Sequence, residues 1–221
     1  MSTLTSAPVA PLIDRLFAEA SAVSPMSALA LAGLSAEDRG RMMRSKTDYL
    51  DFYGHLKDMP LAVSRETGLL LYMLARHCRA RSIVEFGTSF GISTLYLAAA
   101  LRDNGGSHIV TCEFEPSKVA RARKHLTEAG LIDLVEIREG DALNTLAQGL
   151  PTSVDLLLLD GAKSLYGEVL DLVEGHLRPG ALIVADNAEY NPDYLARMRS
   201  PAGGYLSIPF ADDVELSMRL G

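Results

Sequence analysis

The stretch that decides the fold is residues 81–97, RSIVEFGTSFGISTLYL. Residues 82–86 form a short β-rich apolar run, Gly87 to Gly91 a glycine-bounded turn, and residues 92–101 an apolar stretch at helical spacing. Strand, tight turn and helix in that order set backbone N–H groups and a helix N-terminus at the carboxyl end of a strand, where open α/β sheets take ligands. The pattern is G-x-x-x-G; a dinucleotide fingerprint would want glycine where Ser89 and Ile92 stand. Ser89 hinders the close backbone approach that a pyrophosphate needs. Glu85, just before the turn, repels a phosphate and attracts an ammonium or sulfonium. The loop reads as a seat for a cationic nucleoside, which weighs against an NAD(P) oxidoreductase.

Outward from this stretch the alternation repeats. Residues 108–113 (HIVTCE) read as a second strand, and Glu115-Pro116 opens a helix that Gly130 ends. Residues 134–139 are a third strand, followed by Gly140-Asp141 and a short helix. Residues 154–159 are nearly unbroken apolar, as for a strand buried on both faces. A helix over 166–176, a turn at Arg178-Pro179-Gly180 and a strand at 181–185 follow. Five βα units predict a doubly wound, mostly parallel α/β sheet. Residues 205–209 and 214–220 alternate like an antiparallel hairpin, bringing the sheet to seven strands.

Upstream, Ser64 caps a helix over 65–78 whose apolar face is expected at Leu69, Leu70, Met73 and Leu74. Helical regions are expected at 12–22 and 35–56, with an alanine- and leucine-rich piece at 26–34 and a loose tail at 1–11. These helices precede the first strand, so they cap the ligand face or make a subunit contact. One domain is expected, with tail and cap helices over 1–58 and the α/β core over 59–221.

The 221 residues suffice for a full core, and 48% hydrophobic with 22% charged residues is ordinary for a globular protein. A formal charge of −7 argues against a general nucleic-acid grip. Arg121, Arg123 and Lys124 read as the solvated face of a helix. Cys78 and Cys112 have no C-x-x-C partner and fit a reducing compartment. No apolar run approaches a membrane span and no secretory signal opens the chain, so a cytoplasmic location is expected.

Each expected parallel strand ends near a polar group: Glu85, Glu113, Asp141, Asp160 and Asp186-Asn187. Glu113 stands one βα unit beyond Glu85, where a carboxylate can take both hydroxyls of a ribose. Asp160, Asp186 and Asn187 end neighbouring strands. Three hard oxygen donors without His or Cys suit Mg²⁺, with Mn²⁺ or Ca²⁺ as alternatives. Lys163 lies three residues past Asp160. Beside a divalent cation its pKa should fall from about 10.4, so that a neutral amine could act as a base.

EFGTSFGIS (85–93), TCEFEP (111–116), REGDAL (138–143), LLDGAK (158–163) and VADN (184–187) closely resemble the small cation-dependent O-methyltransferases, which include catechol and caffeoyl-CoA O-methyltransferases. The resemblance runs from about Met59 onward. It implies a class I, Rossmann-like fold and S-adenosylmethionine as cofactor. Glu85, Gly87, Thr88, Ser89, Gly91 and Ser93 match the loop around its methionine part, Glu113 the ribose-binding acid, and Asp141-Ala142 the pair beside the adenine. Val63 matches a further cofactor contact. Asp160, Asp186 and Asn187 match the metal ligands, and Lys163 the base.

The implied activity is methyl transfer to a hydroxyl of a small aromatic, catechol-like substrate, by a homodimer. A tRNA hydroxynucleoside O-methyltransferase and a non-catalytic S-adenosylmethionine-binding protein are the alternatives. Three differences from the family bear on the substrate, the first being a long N-terminal region with no motif that matches. Gly161-Ala162 replaces bulkier or acidic residues, suggesting a more open wall, and the segment after Asn187 is short. Tyr190, Tyr205 and Phe210 are the aromatics on which a substrate ring could stack, with core packing the leading alternative for each one.

Overall fold

The computed structural model describes residues 2–22, 33–211 and 213–221. Its sheet runs in the order β3-β2-β1-β4-β5-β7-β6. The strands are β1 (Ser82–Phe86), β2 (His108–Glu113), β3 (Val135–Glu139), β4 (Val154–Leu159), β5 (Leu177–Asp186), β6 (Tyr205–Phe210) and β7 (Val214–Arg219). The first five are parallel, and β7 joins β5 and β6 antiparallel. The doubly wound sheet with a closing hairpin is therefore as expected.

Strand order reverses between β1 and β4, whose carboxyl ends flank the crevice that such sheets use for ligands. β4 sits at this centre, and Leu156 to Leu159 are wholly buried, which is why its sequence lacks alternation. The helix after the glycine turn, α5 (Ile92–Asn104), is buried from Ile92 through Leu101. It packs against α4 (Arg65–His77) and α1 (Val9–Ser21), so it is apolar all round.

Four expectations need correction. The tail expected to be loose at 1–11 is ordered: Thr3–Thr5 form a 3-10 turn, Leu4 is buried, and α1 already begins at Val9, because Thr3 is held by Asp103. The buried face of α4 is Thr67, Gly68, Leu71 and Ala75, while Leu69 and Met73 are exposed. The reason is close helix approach: a Cβ on Gly68 would lie 2.5 Å from the Tyr96 ring. The helical region at 35–56 is two helices, α2 (Ala36–Arg44) and α3 (Tyr49–Gly54). Between them Ser45 turns extended, and its hydroxyl accepts hydrogen bonds from the N–H groups of Thr47 and Asp48, competing with helix continuation. Finally, Arg178 to Gly180 form a bulge inside β5 rather than a turn before it. Gly180 at φ +76° absorbs the extra residues, and Arg178 donates to Asp155 Oδ1 at 2.6 Å.

Residues 23–32, most of the alanine- and leucine-rich piece, lie outside the described residues. Among those described, no helix is long and apolar enough to cross a membrane. Both cysteines are free, and Cys112 is buried.

Candidate active site

The glycine turn, which joins β1 to α5, is tied to the neighbouring strand β2 and closed on itself. Gly87 and Thr88 donate their N–H groups to Cys112 O at 3.2 and 3.1 Å, and Gly91 donates to Thr88 O at 2.8 Å. Gly87, at φ +102°, lies so close to β4 that a Cβ would stand 2.7 Å from the Asp160 carbonyl. Only glycine meets both demands. Beneath the turn Glu85 is fully buried and accepts from Ser93 Oγ and Thr94 Oγ1, each at 2.6 Å. Burial pushes its pKa up, while the hydroxyl donors oppose that rise.

Two cavities open above the strand ends. The first is lined by Gly87, Ser89, Glu113, Asp141, Ala142 and Asp160, and its outer wall includes Tyr49 and Tyr53 of α3. Ser89 donates its N–H to Glu113 Oε2 at 2.9 Å and Glu115 to Oε1 at 3.0 Å. These bonds fix an acceptor-only carboxylate at the cavity edge. Asp141 caps the short helix α7 (Ala142–Thr145) through its own carboxylate, bonded to Leu143 N.

The second cavity is lined by Val63, Asp160, Lys163, Asp186, Asn187 and Tyr190, with α2 residues on its far side. Lys163 Nζ lies 2.8 Å from Asp160 Oδ1 and 3.6 Å from Asp186 Oδ2. Burial would pull the lysine pKa down. The Asp160 charge, together with Tyr166 and Asp186, outweighs burial and raises it well above its ordinary value, so the amine is an ammonium here. Asp186 is pushed up to about 7, by burial first and then by the neighbouring Asp160 charge. One buried and one half-buried carboxylate, Asp186 and Asp160, thus face one ammonium, a donor set short of positive charge. With the Asn187 amide on the same cavity, this set fits a hard divalent cation. Tyr166 donates to Asp186 O at 2.6 Å and Asn191 to Lys163 O at 2.8 Å, holding both strand-end segments in place.

The structure therefore brings Asp160, Lys163, Asp186 and Asn187 together, with Val63 beside them. It gathers Gly87, Ser89, Glu113, Asp141 and Ala142 around the first cavity. Glu85, Thr88, Gly91 and Ser93 line neither cavity. Their work lies beneath the turn, where Ser93 donates to Glu85, Thr88 shares a 2.6 Å hydrogen bond with Thr111, and Gly91 takes φ +84° at the helix start.

Of the three candidate stacking aromatics, Tyr190 alone lines the second cavity. Tyr205 is buried against Glu174, and Phe210 stands on the edge strand β6. Gly161 does not open the wall, because the Phe86 ring fills the space: a Cβ there would meet it at 2.4 Å.

Sequence reasoning missed Tyr53 and Lys118. Lys118 is 3% exposed on α6 (Pro116–Glu128) and lines the first cavity. Its signal was its place on the first turns of the helix after Glu113. Tyr53 carried no signal beyond apolar spacing.

Residues 84–188 match the family described as a methyltransferase domain. The chain is 38% identical over 130 residues to a catechol O-methyltransferase of Niastella koreensis, covering 58% of each chain. It is 30% identical over 175 residues to catechol O-methyltransferase B of Danio rerio, covering 75% of this chain and 65% of that one. The chain thus spans less than two thirds of the length of these curated relatives. Among solved structures it resembles the O-methyltransferase TomG of Streptomyces achromogenes, solved in complex with SAM. That likeness has a TM-score of 0.66 and 26% identity, over 92% of this chain and 99% of that one. An O-methyltransferase of Bacillus cereus shares the fold at a TM-score of 0.66 and 22% identity, over 95% of this chain and all of that one. The resemblance carried by the sequence motifs thus holds in both fold and sequence, and residues 84–188 are similar to the family described as a methyltransferase domain.

Proposed function

We propose that this chain is an S-adenosylmethionine-dependent O-methyltransferase that requires a divalent cation and methylates a hydroxyl of a small, catechol-like aromatic. One observation carries the reading: the cavity with Glu113 and the cavity with Lys163 share Asp160 as a wall. The names of the relatives support it, since several are catechol O-methyltransferases and TomG was solved with SAM.

When bound, S-adenosylmethionine supplies an electrophilic methyl whose bonding pair stays on sulfur as the carbon leaves. Glu113 would accept from the ribose hydroxyls, and Asp141 and Ala142 would flank the base. Gly87 and Ser89 would face the methionine part. When bound to Asp160, Asp186 and Asn187, a divalent cation supplies a positive centre that makes a nearby hydroxyl more acidic. Lys163 would receive that hydroxyl's proton at Nζ. It can do so only once the Asp160 and Asp186 charges that keep it protonated are neutralised. The oxygen so deprotonated would be the nucleophile toward that methyl. Tyr190 and the α2 wall would hold the aromatic ring and exclude water. Positioning of this kind can lower the barrier by on the order of 7–11 kcal/mol.

The chain is read as one methyltransferase unit, capped by residues 1–58 and acting as a homodimer. Incubation with labelled cofactor, Mg²⁺ and a panel of catechols, flavonoids and hydroxylated nucleosides tests the reading. A methylated catechol whose formation stops with a chelator is the expected result. Cofactor binding without any product would reject catalysis.

A further inference from the structure

Lys118 is placed against three local preferences. It stands on the first turn of α6, behind Glu115, which caps the helix by accepting from Ser117 N at 3.2 Å. A cation there opposes the positive end of the helix dipole. The residue is only 3% exposed, and lysines are almost never buried unless paired. Yet its ammonium makes no hydrogen bond and no close ion pair among the described residues. The Phe90 ring lies 5.9 Å from Nζ, the outer limit of a cation–π contact, and the Arg121 guanidinium already sits over that ring at 4.6 Å.

Nζ is not among the polar atoms that the protein encloses completely without a partner. The residue lines the first cavity together with Glu113, so the surface it keeps is where a ligand of that cavity would lie. The charged groups around it are Glu113, Glu115 and Asp160, with Arg121 the one other cation. Burial pulls the lysine pKa down, and the three carboxylates, Glu113 foremost, oppose that fall. Glu113 is itself fixed, accepting from the Ser89 and Glu115 N–H groups at 2.9 and 3.0 Å. A held acceptor and an unused donor thus share one cavity.

We infer that Lys118 is a second ribose contact in that cavity, its Nζ donating to the oxygen of a hydroxyl whose hydrogen goes to Glu113. This rests on the cofactor reading above and adds a residue which that reading does not use. A hydroxyl has one O–H donor and two lone pairs, whereas an ionised carboxylate can only accept. Against Glu113 alone the hydroxyl can therefore only donate, and its oxygen is desolvated without a partner. Lys118 supplies the complementary donor. In return, the hydroxyl gives the buried ammonium the partner that the protein does not provide. The two side chains read one hydroxyl in both directions, and a deoxyribose in the same seat leaves Lys118 unpaired. Lys118 thereby selects for ribose.

The test is calorimetric binding of three ligands to the full chain and to Lys118→Met. They are S-adenosylhomocysteine and its 2′-deoxy and 3′-deoxy analogues. Lys118→Met is expected to bind S-adenosylhomocysteine about 10- to 100-fold more weakly than wild type, the size of a lost hydrogen bond to a charged group. For the analogue that lacks the contacted hydroxyl, the same substitution should cost less than about threefold, because the contact is already gone. A merely structural role would not produce that non-additivity. Without ligand, Lys118→Met should melt at or above the wild-type temperature, since it removes a buried charge that has no partner. Lys118→Gln, which keeps a donor but no charge, should show the same pattern with a smaller loss. Equal losses for all three ligands, or none in either variant, would overturn the inference while leaving the cofactor reading intact. A wild-type chain that binds none of the three overturns both.

Discussion

At the scale of single residues, the site is a matter of unbalanced charge. Lys163 is almost fully buried between Asp160 and Asp186, and burial, followed by the surplus carboxylate, raises Asp186 to about 7. Removing the amine while keeping its bulk, as in Lys163→Met, should lower turnover of a catechol by about 10²–10⁴-fold, the usual contribution of a positioned base. Stopped assays of methylated product at saturating cofactor check this. Glu113 faces the other cavity with both oxygens already held by the Ser89 and Glu115 N–H groups. Glu113→Gln keeps the shape but turns one acceptor into a donor. Affinity for S-adenosylhomocysteine should fall about 10- to 100-fold, the size of a lost hydrogen bond to a charged group. Titration calorimetry reads it.

Among the elements, the turn between β1 and α5 is the least forgiving. Gly87→Ala places a Cβ 2.7 Å from the Asp160–Gly161 backbone just past β4, at a positive φ, where no side chain can swing aside. Steric and conformational strain together should cost about 2–4 kcal/mol, measured as a shift of the urea midpoint. A second joint ties the N-terminal segment to the far end of α5. Asp103 accepts from Thr3 N at 3.0 Å and from Tyr72 Oη at 2.7 Å. Burial pulls its carboxyl up, but the bonds from Thr3 and Tyr72 outweigh that and leave it below its ordinary value. A carboxyl depressed by folding stabilises fully above its unfolded pKa, about 3.9, and loses this as pH falls through its folded value. Asp103→Asn should therefore be less stable than wild type by about 1 kcal/mol at pH 7, with the gap closing below about pH 4. Urea midpoints at pH 7, 5 and 3.5 decide it. Legibility followed the same division. The β1 turn was readable because glycine spacing and strand-end acids act locally. The buried face of α4 was not, since Gly68 there is chosen by the Tyr96 ring, which lies far along the chain.

Across the whole molecule, the sheet order decides what meets. β1 and β4 are neighbours only because the chain crosses from β3 back over the sheet, and that crossing lays Asp160 against Gly87. The alternating βα pattern foretold the gathering of Asp160, Lys163, Asp186 and Asn187 at neighbouring strand ends, but not which strand lies beside β1. What it could not foretell is how the cap closes the site. Tyr53 and Leu61 precede the first strand and obey no repeat, yet both line the two cavities. Nor could it show that Phe86 fills the room left by Gly161. The most direct measurement is anomalous diffraction from crystals grown with Mn²⁺ and S-adenosylhomocysteine. The account predicts one manganese peak bonded to oxygens of Asp160, Asp186 and Asn187, with the nucleoside seated over Glu113 across the Asp160 wall. A nucleoside bound there with no manganese at those three side chains, and Asp160 still paired to Lys163, would contradict it.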